Sequence, residues 1–273
     1  MAYSVINMQG TVTSGNISPT INGSLGSGSL TTTGNYYFYC SFSNGSQMTA
    51  TVNYNFNVPS ANNFSLTASF NYPSGITTIY CYFTTPSYTC PLLIISTSSS
   101  VTNAGWIFGT YSVNTSSQTV SVTLSIQPTS NSSANMPSLP SINFVQTTIT
   151  VPSGQNWLIK GLYFTNNTSN VSSYANGFGN MVSINGMLQS LSTTAVYIRP
   201  DIVPYWVEPG YTSGVSNNSI SYIPSFVPQI LTSGQSIVIG ADTYLKGTSN
   251  YTNAQTNILV PTTTSYVIQG VTI

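Results

Sequence analysis

The side chains able to exchange protons near neutral pH are few, because the chain has three basic residues, three acidic residues and no histidine. General acid–base catalysis needs an ionisable group whose pKa lies near the working pH, and histidine is the usual one. A serine nucleophile also needs an activating base, and neither lysine stands in a recognisable motif. We therefore expect no enzyme activity and no cofactor. The charged residues are Lys160, Arg199, Asp201, Glu208, Asp242 and Lys246.

Three of these charges lie in one proline-rich loop, residues 199–210. Long loops on rigid β scaffolds often carry binding sites, and Tyr and Trp are frequent interface anchors. One interpretation is an interface or ligand-binding loop. The alternative is a structural ion pair beneath a crossover loop, with Glu208 meeting Lys160 or Lys246. Calcium would need roughly six to eight oxygen ligands, so no metal is expected. The loop candidates are Arg199, Asp201, Tyr205, Trp206 and Glu208.

Three cysteines are the other reactive side chains, and two of them stand in similar aromatic contexts, Tyr39-Cys40-Ser41-Phe42 and Tyr80-Cys81-Tyr82-Phe83. A Cys40–Cys81 disulfide between neighbouring strands is one interpretation. A Cys81–Cys90 disulfide that closes a hairpin is a second, and three buried free thiols are the third. An odd number leaves at least one thiol unpaired within the chain. Without a CxxC motif or a histidine, zinc is not expected.

Asn-X-Ser/Thr triplets are frequent, and chance accounts for part of their number in a chain so rich in these residues. A triplet becomes a glycosylation site only on an accessible loop of a protein that meets a glycosylation machinery. A sugar coat would also explain how a surface without net charge stays soluble. The best candidates are those in turn-like segments, namely Asn131, Asn166, Asn167, Asn170, Asn217 and Asn250.

Alternation of apolar and polar residues with a period of two dominates the chain and determines where these side chains must lie. Residues 51–58 are an example, with an apolar face of Val52, Tyr54, Phe56 and Val58 and a polar face of Thr51, Asn53, Asn55 and Asn57. This pattern predicts a half-buried strand of an antiparallel sheet. Similar segments recur with Gly, Pro, Asn and Ser between them, and no helix-length segment has helical periodicity. The predicted fold class is all-β, with two antiparallel β-sandwich domains.

A polar, proline-rich segment at residues 129–140 lacks alternation and is typical of an extended linker. It predicts an N-terminal sandwich at residues 1–128 and a jelly-roll-like sandwich at residues 141–273. The first 35 residues are rich in Gly, Ser and Thr. We interpret them as an arm that orders on assembly.

The low charge excludes several classes of partner. Charged residues are 2% of the chain, against roughly 25% in an ordinary globular domain. Three basic side chains cannot neutralise a phosphate backbone or bind an anionic membrane surface, so nucleic-acid binding is not expected. No run of apolar residues approaches the length of a membrane-spanning helix, so membrane insertion is not expected either. Residues 1–159 contain no Asp, Glu, Lys, Arg or His, which predicts a stability nearly independent of pH in acid. Drift toward uncharged polar residues in a secreted or surface protein is the alternative explanation.

The 19 tyrosines raise a carbohydrate-binding hypothesis, because aromatic faces stack on pyranose rings. Tyr36, Tyr37 and Tyr39 lie together near the start of a strong strand. Packing in sheets and cores is the commoner role of tyrosine in β proteins.

The C-terminal half carries Val151-Pro-Ser-Gly-Gln-Asn-Trp157, then Ile184-Asn-Gly, then Leu231-Thr-Ser-Gly-Gln-Ser-Ile237, each beside predicted strands. This order resembles single jelly-roll domains of virion surface and receptor-binding proteins. The resemblance implies a capsid, penton or turret subunit on the surface of an archaeal icosahedral virus. Its partners would be copies of itself, other virion proteins and a host surface glycan. One alternative is an extracellular appendage, a filament or adhesin subunit in which Val5–Thr13 completes a neighbour's sheet. A carbohydrate-binding tip protein is another.

Overall fold

The computed structural model describes residues 3–60, 63–167, 175–176, 180–184, 187–191, 196–197, 219–222, 229–249, 255–261 and 263–273. Throughout these residues the chain forms antiparallel sheets and no helix, which confirms the predicted all-β fold class. Backbone contacts divide the chain into two compact units. We call Met1–Asn16, Asn143–Lys246 and Val260–Ile273 the terminal unit, and Ile17–Ile142 with Gly247–Leu259 the inserted unit.

The first strand, β1 (Val5–Thr13), belongs to the terminal unit, and the chain then enters the inserted unit. The strands that follow are β2 (Asn22–Leu30), β3 (Gly34–Ser43), β4 (Val52–Val58), β5 (Phe64–Asn71), β6 (Thr78–Thr84), β7 (Leu93–Ser96), β8 (Val101–Trp106), β9 (Gly109–Asn114) and β10 (Thr119–Leu124). The rest of the chain forms β11 (Val145–Thr150), β12 (Trp157–Asn167), β13 (Ala175–Asn176), β14 (Asn180–Ile184), β15 (Met187–Leu191), β16 (Val196–Tyr197), β17 (Ser219–Tyr222), β18 (Gln229–Leu231), β19 (Ser236–Ala241), β20 (Tyr244–Ser249), β21 (Gln255–Val260) and β22 (Thr263–Thr272).

The inserted unit is a sandwich of two sheets with an aromatic core. One sheet has the order β2-β5-β10-β9-β8, and the other contains the run β21-β4-β3-β6-β7. Phe38 of β3 is fully buried and contacts Phe70 and Phe83, with ring centroids 5.8 and 4.8 Å away. Burying each such ring contributes roughly 1.5–3 kcal/mol. The predicted apolar face of β4 points into this core, where Val52 and Phe56 are buried, and this part of the prediction is confirmed.

The terminal unit is also built from two sheets. One has the order β1-β22-β12-β17, with β18 pairing β12 beside β17, and the other has the order β11-β19-β14-β15-β16. Alternate residues of β1, β12, β19 and β22 fill the core between them. The buried core residues are Ile6, Val12, Val151, Trp157, Ile159, Leu162, Leu231, Ile237, Ile239, Ala241 and Ile268.

The two units do not follow the linear division predicted at residues 129–140. Because β1 pairs with β22, the first and last strands of the chain lie in one sheet of the terminal unit. Residues 127–140 form no strand, but they are attached to the inserted unit, since Met48 N donates to Pro140 O and Ser132 N donates to Thr89 O, each at 2.9 Å. Within the predicted arm, β2 pairs with β5. Local composition cannot reveal pairing between strands this far apart in sequence, and this explains the difference.

Candidate interaction surfaces

One surface of interest is the open side of β1. The strand pairs with β22 without interruption from Val5↔Val271 to Thr13↔Thr263. Just before it, Thr272 N donates to Ser4 O at 2.9 Å, so the even-numbered residues form the hydrogen-bonded pairs with β22. Along an antiparallel pair of strands, residue pairs that are hydrogen-bonded to each other alternate with pairs that are not. The backbone N–H and C=O groups of the odd-numbered residues therefore point to the other side, where no described strand pairs with them.

This open side lacks the features with which proteins usually block an edge strand. Such features are charged side chains, prolines, bulges and very short strands. Among other described sheet ends, β2 and β8 have irregular register, β7 is four residues long, and β11 is regular but only six residues long. By contrast, β1 has nine residues in regular register and contains no proline or charge. It is the most complete template for strand addition among the described edges.

An apolar row crosses the outer face of the same sheet and ends at this edge. The register places Val5 beside Val271, Val271 beside Leu158, and Leu158 beside Ile230. The two end members are 81% and 59% exposed. Period-two alternation predicts polar residues on a solvent-facing side, so an exposed apolar row is unexpected here. Contiguous exposed apolar patches often mark interaction sites.

A second surface is the outer side of the sheet containing β3, β4 and β6, which we call the tyrosine face and define by Tyr37, Tyr39, Tyr82, Asn53 and Asn55. Tyr39 stacks on Tyr82, its register partner, with ring centroids 4.6 Å apart, and Tyr37 lies 6.3 Å from Tyr39. Burial raises the pKa of Tyr39 and of Tyr82, with a smaller contribution from the neighbouring tyrosine in each case. The rings therefore remain neutral hydroxyl donors over a wide pH range.

The asparagines of the tyrosine face correct the prediction of a half-buried strand with an exposed polar side. Asn53 and Asn55 are each only 6% exposed, and the register places them opposite Tyr39 and Tyr37 of β3. Neither the amide nitrogen nor the amide oxygen of Asn55 has a hydrogen-bond partner in the structure. A buried polar group without a partner costs about 1–3 kcal/mol, so this amide lowers the stability of the fold unless another polar group satisfies it.

The three cysteines are free thiols, and all are buried. Cys40 and Cys81 are direct register partners on β3 and β6, which is the neighbouring-strand arrangement that the first disulfide interpretation requires. Cys90 N donates to Phe83 O at 2.9 Å in the turn that follows β6. Burial raises the pKa of Cys40 and Cys81 well above the usual range, and that of Cys90 to about 12. The thiolate needed for exchange chemistry is therefore disfavoured.

The structure describes only some of the predicted glycosylation sites. Asn131 is exposed, and its amide oxygen accepts a hydrogen bond from Thr89 N at 2.9 Å. Asn166 and Asn167 lie in β12, paired with β22, so the expectation of a turn-like segment is corrected for both. Pairing along a neighbouring strand extends β12 further than local composition indicates. Outside the described residues lie Asn170, Asn217 and Asn250.

The proline-rich loop candidates lie outside the described residues, namely Arg199, Asp201, Tyr205, Trp206 and Glu208. Of the residues suggested as partners for this loop, Lys160 is exposed at the register shift between Ile159 and Gly161. Asp242 accepts a hydrogen bond from Thr243 N at 2.7 Å. In the described part of the chain no group of three or more His, Cys, Asp or Glu is placed to hold a metal ion.

Comparison with known protein families, with curated proteins and with solved structures finds no match for this chain. Among the described residues, no helix has the length and hydropathy of a membrane span.

Proposed function

We propose that this protein is a structural subunit of a virion surface, of the capsid, penton or turret type, that assembles with copies of itself. The observation that carries the proposal is the strand order of the terminal unit. Eight of its strands, with β17 and β18 counted as one and the two-residue β16 left out, are divided equally between its two sheets. They are β1, β11, β12, β14, β15, β17 with β18, β19 and β22.

Numbered in that order, the first sheet contains strands one, eight, three and six, and the second contains two, seven, four and five. A jelly roll has this arrangement, and jelly rolls are common in viral capsid and lectin domains. The whole stretch from β2 to β10 is inserted between the first two of these strands. The inserted unit is thus a sandwich within the connection between the first two strands of a jelly-roll arrangement. This supports the proposal of a structural subunit with an added surface domain. Because fold alone does not specify function, the proposal also needs support from the surfaces of the protein.

The surfaces of both units support assembly through uncharged contacts. The inserted unit contains no Asp, Glu, Lys, Arg or His, and the terminal unit has an uncharged open edge and an exposed apolar row. Uncharged contacts between subunits would carry no carboxylate whose protonation could break them. Assembly through such contacts would therefore be the same in acid as at neutral pH.

Native mass spectrometry of the purified protein at about pH 2 and about pH 7 tests the proposal, because carboxylates are protonated at the lower value and ionised at the higher. We expect a closed oligomer of the same size at both values. A monomer at both values would contradict the assembly, and dissociation in acid would contradict the uncharged interface. An open-ended series of masses would favour the filament alternative.

A second function, attachment to a neutral glycan, is favoured by the tyrosine face. Tyr37 lies opposite the unpartnered amide of Asn55 and next to the stacked pair of Tyr39 and Tyr82, and ligand sites commonly combine aromatic walls with a few polar groups. Calorimetric titration with neutral hexasaccharides of glucose, mannose and galactose tests it. We expect binding that is lost in Tyr37→Leu and retained in Tyr3→Leu, a control at a tyrosine that is 70% exposed in the terminal unit. Absence of binding by the unmodified protein would contradict this function.

A further inference from the structure

We propose that the open side of β1 is a subunit interface, at which β1 pairs antiparallel with β1 of a second copy about a two-fold axis through Gln9. This inference depends on the proposed assembly and names one of its contacts. The partner is a second copy, and the contact is a continuous sheet across two chains.

The backbone dictates the register. The odd-numbered residues present N–H and C=O groups on the open side, because the even-numbered ones bond to β22. An antiparallel partner uses the full strand only when Gln9 lies opposite its own copy. Val5 then lies opposite Thr13, and Asn7 lies opposite Thr11. Every donor and acceptor on the open side of β1 is satisfied in this register.

The side chains agree with this register. Asn7, Gln9 and Thr11 are exposed and uncharged. Across the interface, Gln9 would face the partner's Gln9, and Asn7 would face the partner's Thr11. Amides and hydroxyls can donate and accept hydrogen bonds in both directions, and no like charges are brought together.

A second β1 fits the edge better than the far end of the same sheet does. The strands there are β17 and β18, which contain four and three residues, whereas β1 contains nine. Head-to-tail addition would leave much of β1 unpaired. Pairing of β1 with β1 of a second copy uses the whole strand and gives a closed dimer, as expected for an isologous contact.

The decisive variant is Gln9→Glu, which changes the side chain's volume little and places two carboxyl groups opposite each other at the axis. At about pH 7 both are ionised, and their repulsion should weaken self-association about ten-fold or more. At about pH 3 both are protonated, and association should return to that of the unmodified protein. Sedimentation velocity at both pH values measures this, with Ser116→Glu as the control, an exposed position in the turn between β9 and β10.

The possible outcomes separate this inference from the proposed function. If the unmodified protein assembles and Gln9→Glu assembles equally well at about pH 7, the β1 interface is wrong and the proposed function stands. If the unmodified protein is a monomer, both are wrong. Gln9→Pro supplies a second test, since it removes an N–H on the open side and no bond to β22. It should reduce association while the protection of the β1–β22 amides from hydrogen exchange is kept; unchanged association would again overturn the interface.

Discussion

The ring of Tyr266 lies against the backbone of Gly10, its register partner across β1 and β22. A Cβ atom at residue 10 would be 2.5 Å from Oη and 2.7 Å from Cζ of Tyr266. Only glycine leaves room for the ring in this position. The tyrosine packs against the core of the terminal unit and covers the inner side of the first strand, which contributes to holding the two ends of the chain together.

Gly10→Ala should therefore destabilise the protein. The added methyl group must displace an aromatic ring packed against the core, and overpacking of this kind costs about 1–3 kcal/mol. Urea unfolding followed by tryptophan fluorescence measures the change. Gly105→Ala in β8 is the matched control, because a Cβ there has no neighbour within 4 Å. Its effect should be neutral or stabilising by up to about 1 kcal/mol, and an equal loss in both variants would contradict the role of Tyr266.

The buried thiols predict a loss of stability in alkali. Their pKa values are raised in the folded state, to about 12 for Cys90, from an ordinary value of 9.0. Above that ordinary value the unfolded chain loses protons that the folded chain retains, so the free energy of unfolding falls as pH rises. The contribution is fully present below about pH 9 and is lost toward pH 12 and above. The fall is up to about 1.4 kcal/mol per pH unit for each thiol.

Urea unfolding at about pH 8 and about pH 11, values on either side of the ordinary thiol pKa, tests this prediction. The control is the triple variant Cys40→Ala, Cys81→Ala, Cys90→Ala, which should lose less stability between the two values. The tyrosines titrate in both proteins, so their contribution cancels in the comparison. Equal losses in the two proteins would mean that the thiols are not the cause.

The sequence predicts much of the fold because period-two alternation depends only on neighbouring residues. The apolar side of β4, with Val52 and Phe56, is buried as the pattern indicates. Cys40 and Cys81 lie on neighbouring strands, as one of the three cysteine interpretations requires, but their similar contexts do not decide between the three. The burial of Asn55 does not follow, because it depends on packing between residues distant in sequence, which alternation along one strand does not contain.

The open edge of β1 is even harder to predict from the sequence. Its composition indicates a strand, but its identity as an edge depends on pairing between Val5 and Val271, at opposite ends of the chain. The same long-range pairing joins Met1–Asn16 to the other two segments of the terminal unit, which lie far along the sequence. Assigning β1 to the terminal unit requires the order of the strands in the sheet. Local sequence patterns do not contain that order.

We also expect the stability of the inserted unit to be the same in acid as at neutral pH. The inserted unit contains no Asp, Glu, Lys, Arg or His. None of its side chains changes charge between about pH 2 and about pH 7, so its stability should be constant over that range. Hydrogen exchange of the β3 amides, corrected for intrinsic rates, measures the opening free energy at each pH. A decrease of more than about 1 kcal/mol in acid would contradict the prediction, because a loss of that size requires a group that titrates differently in the folded and unfolded chains.

The last prediction compares Asn53 and Asn55, which lie on the same side of β4 and are equally buried at 6% exposure. Asn55 has two unpartnered amide atoms, whereas Asn53 has an interaction partner. Asn55→Val should therefore stabilise the protein by about 1 kcal/mol, because it removes an unsatisfied polar group and adds a good strand former. Asn53→Val should destabilise it by about 1–3 kcal/mol, because it removes a satisfied polar group and leaves its partner unpaired.

Urea unfolding of the two variants, each beside the unmodified protein, measures both effects. The two substitutions are chemically identical and lie two positions apart on one strand, so differences in strand propensity and volume cancel. A loss of stability in Asn55→Val as large as that in Asn53→Val would contradict the prediction. It would show that the Asn55 amide is engaged in solution, by ordered water or by a bound polyol. Repeating the measurement with the neutral hexasaccharides would then distinguish the two, because only a bound sugar adds stability in proportion to its concentration.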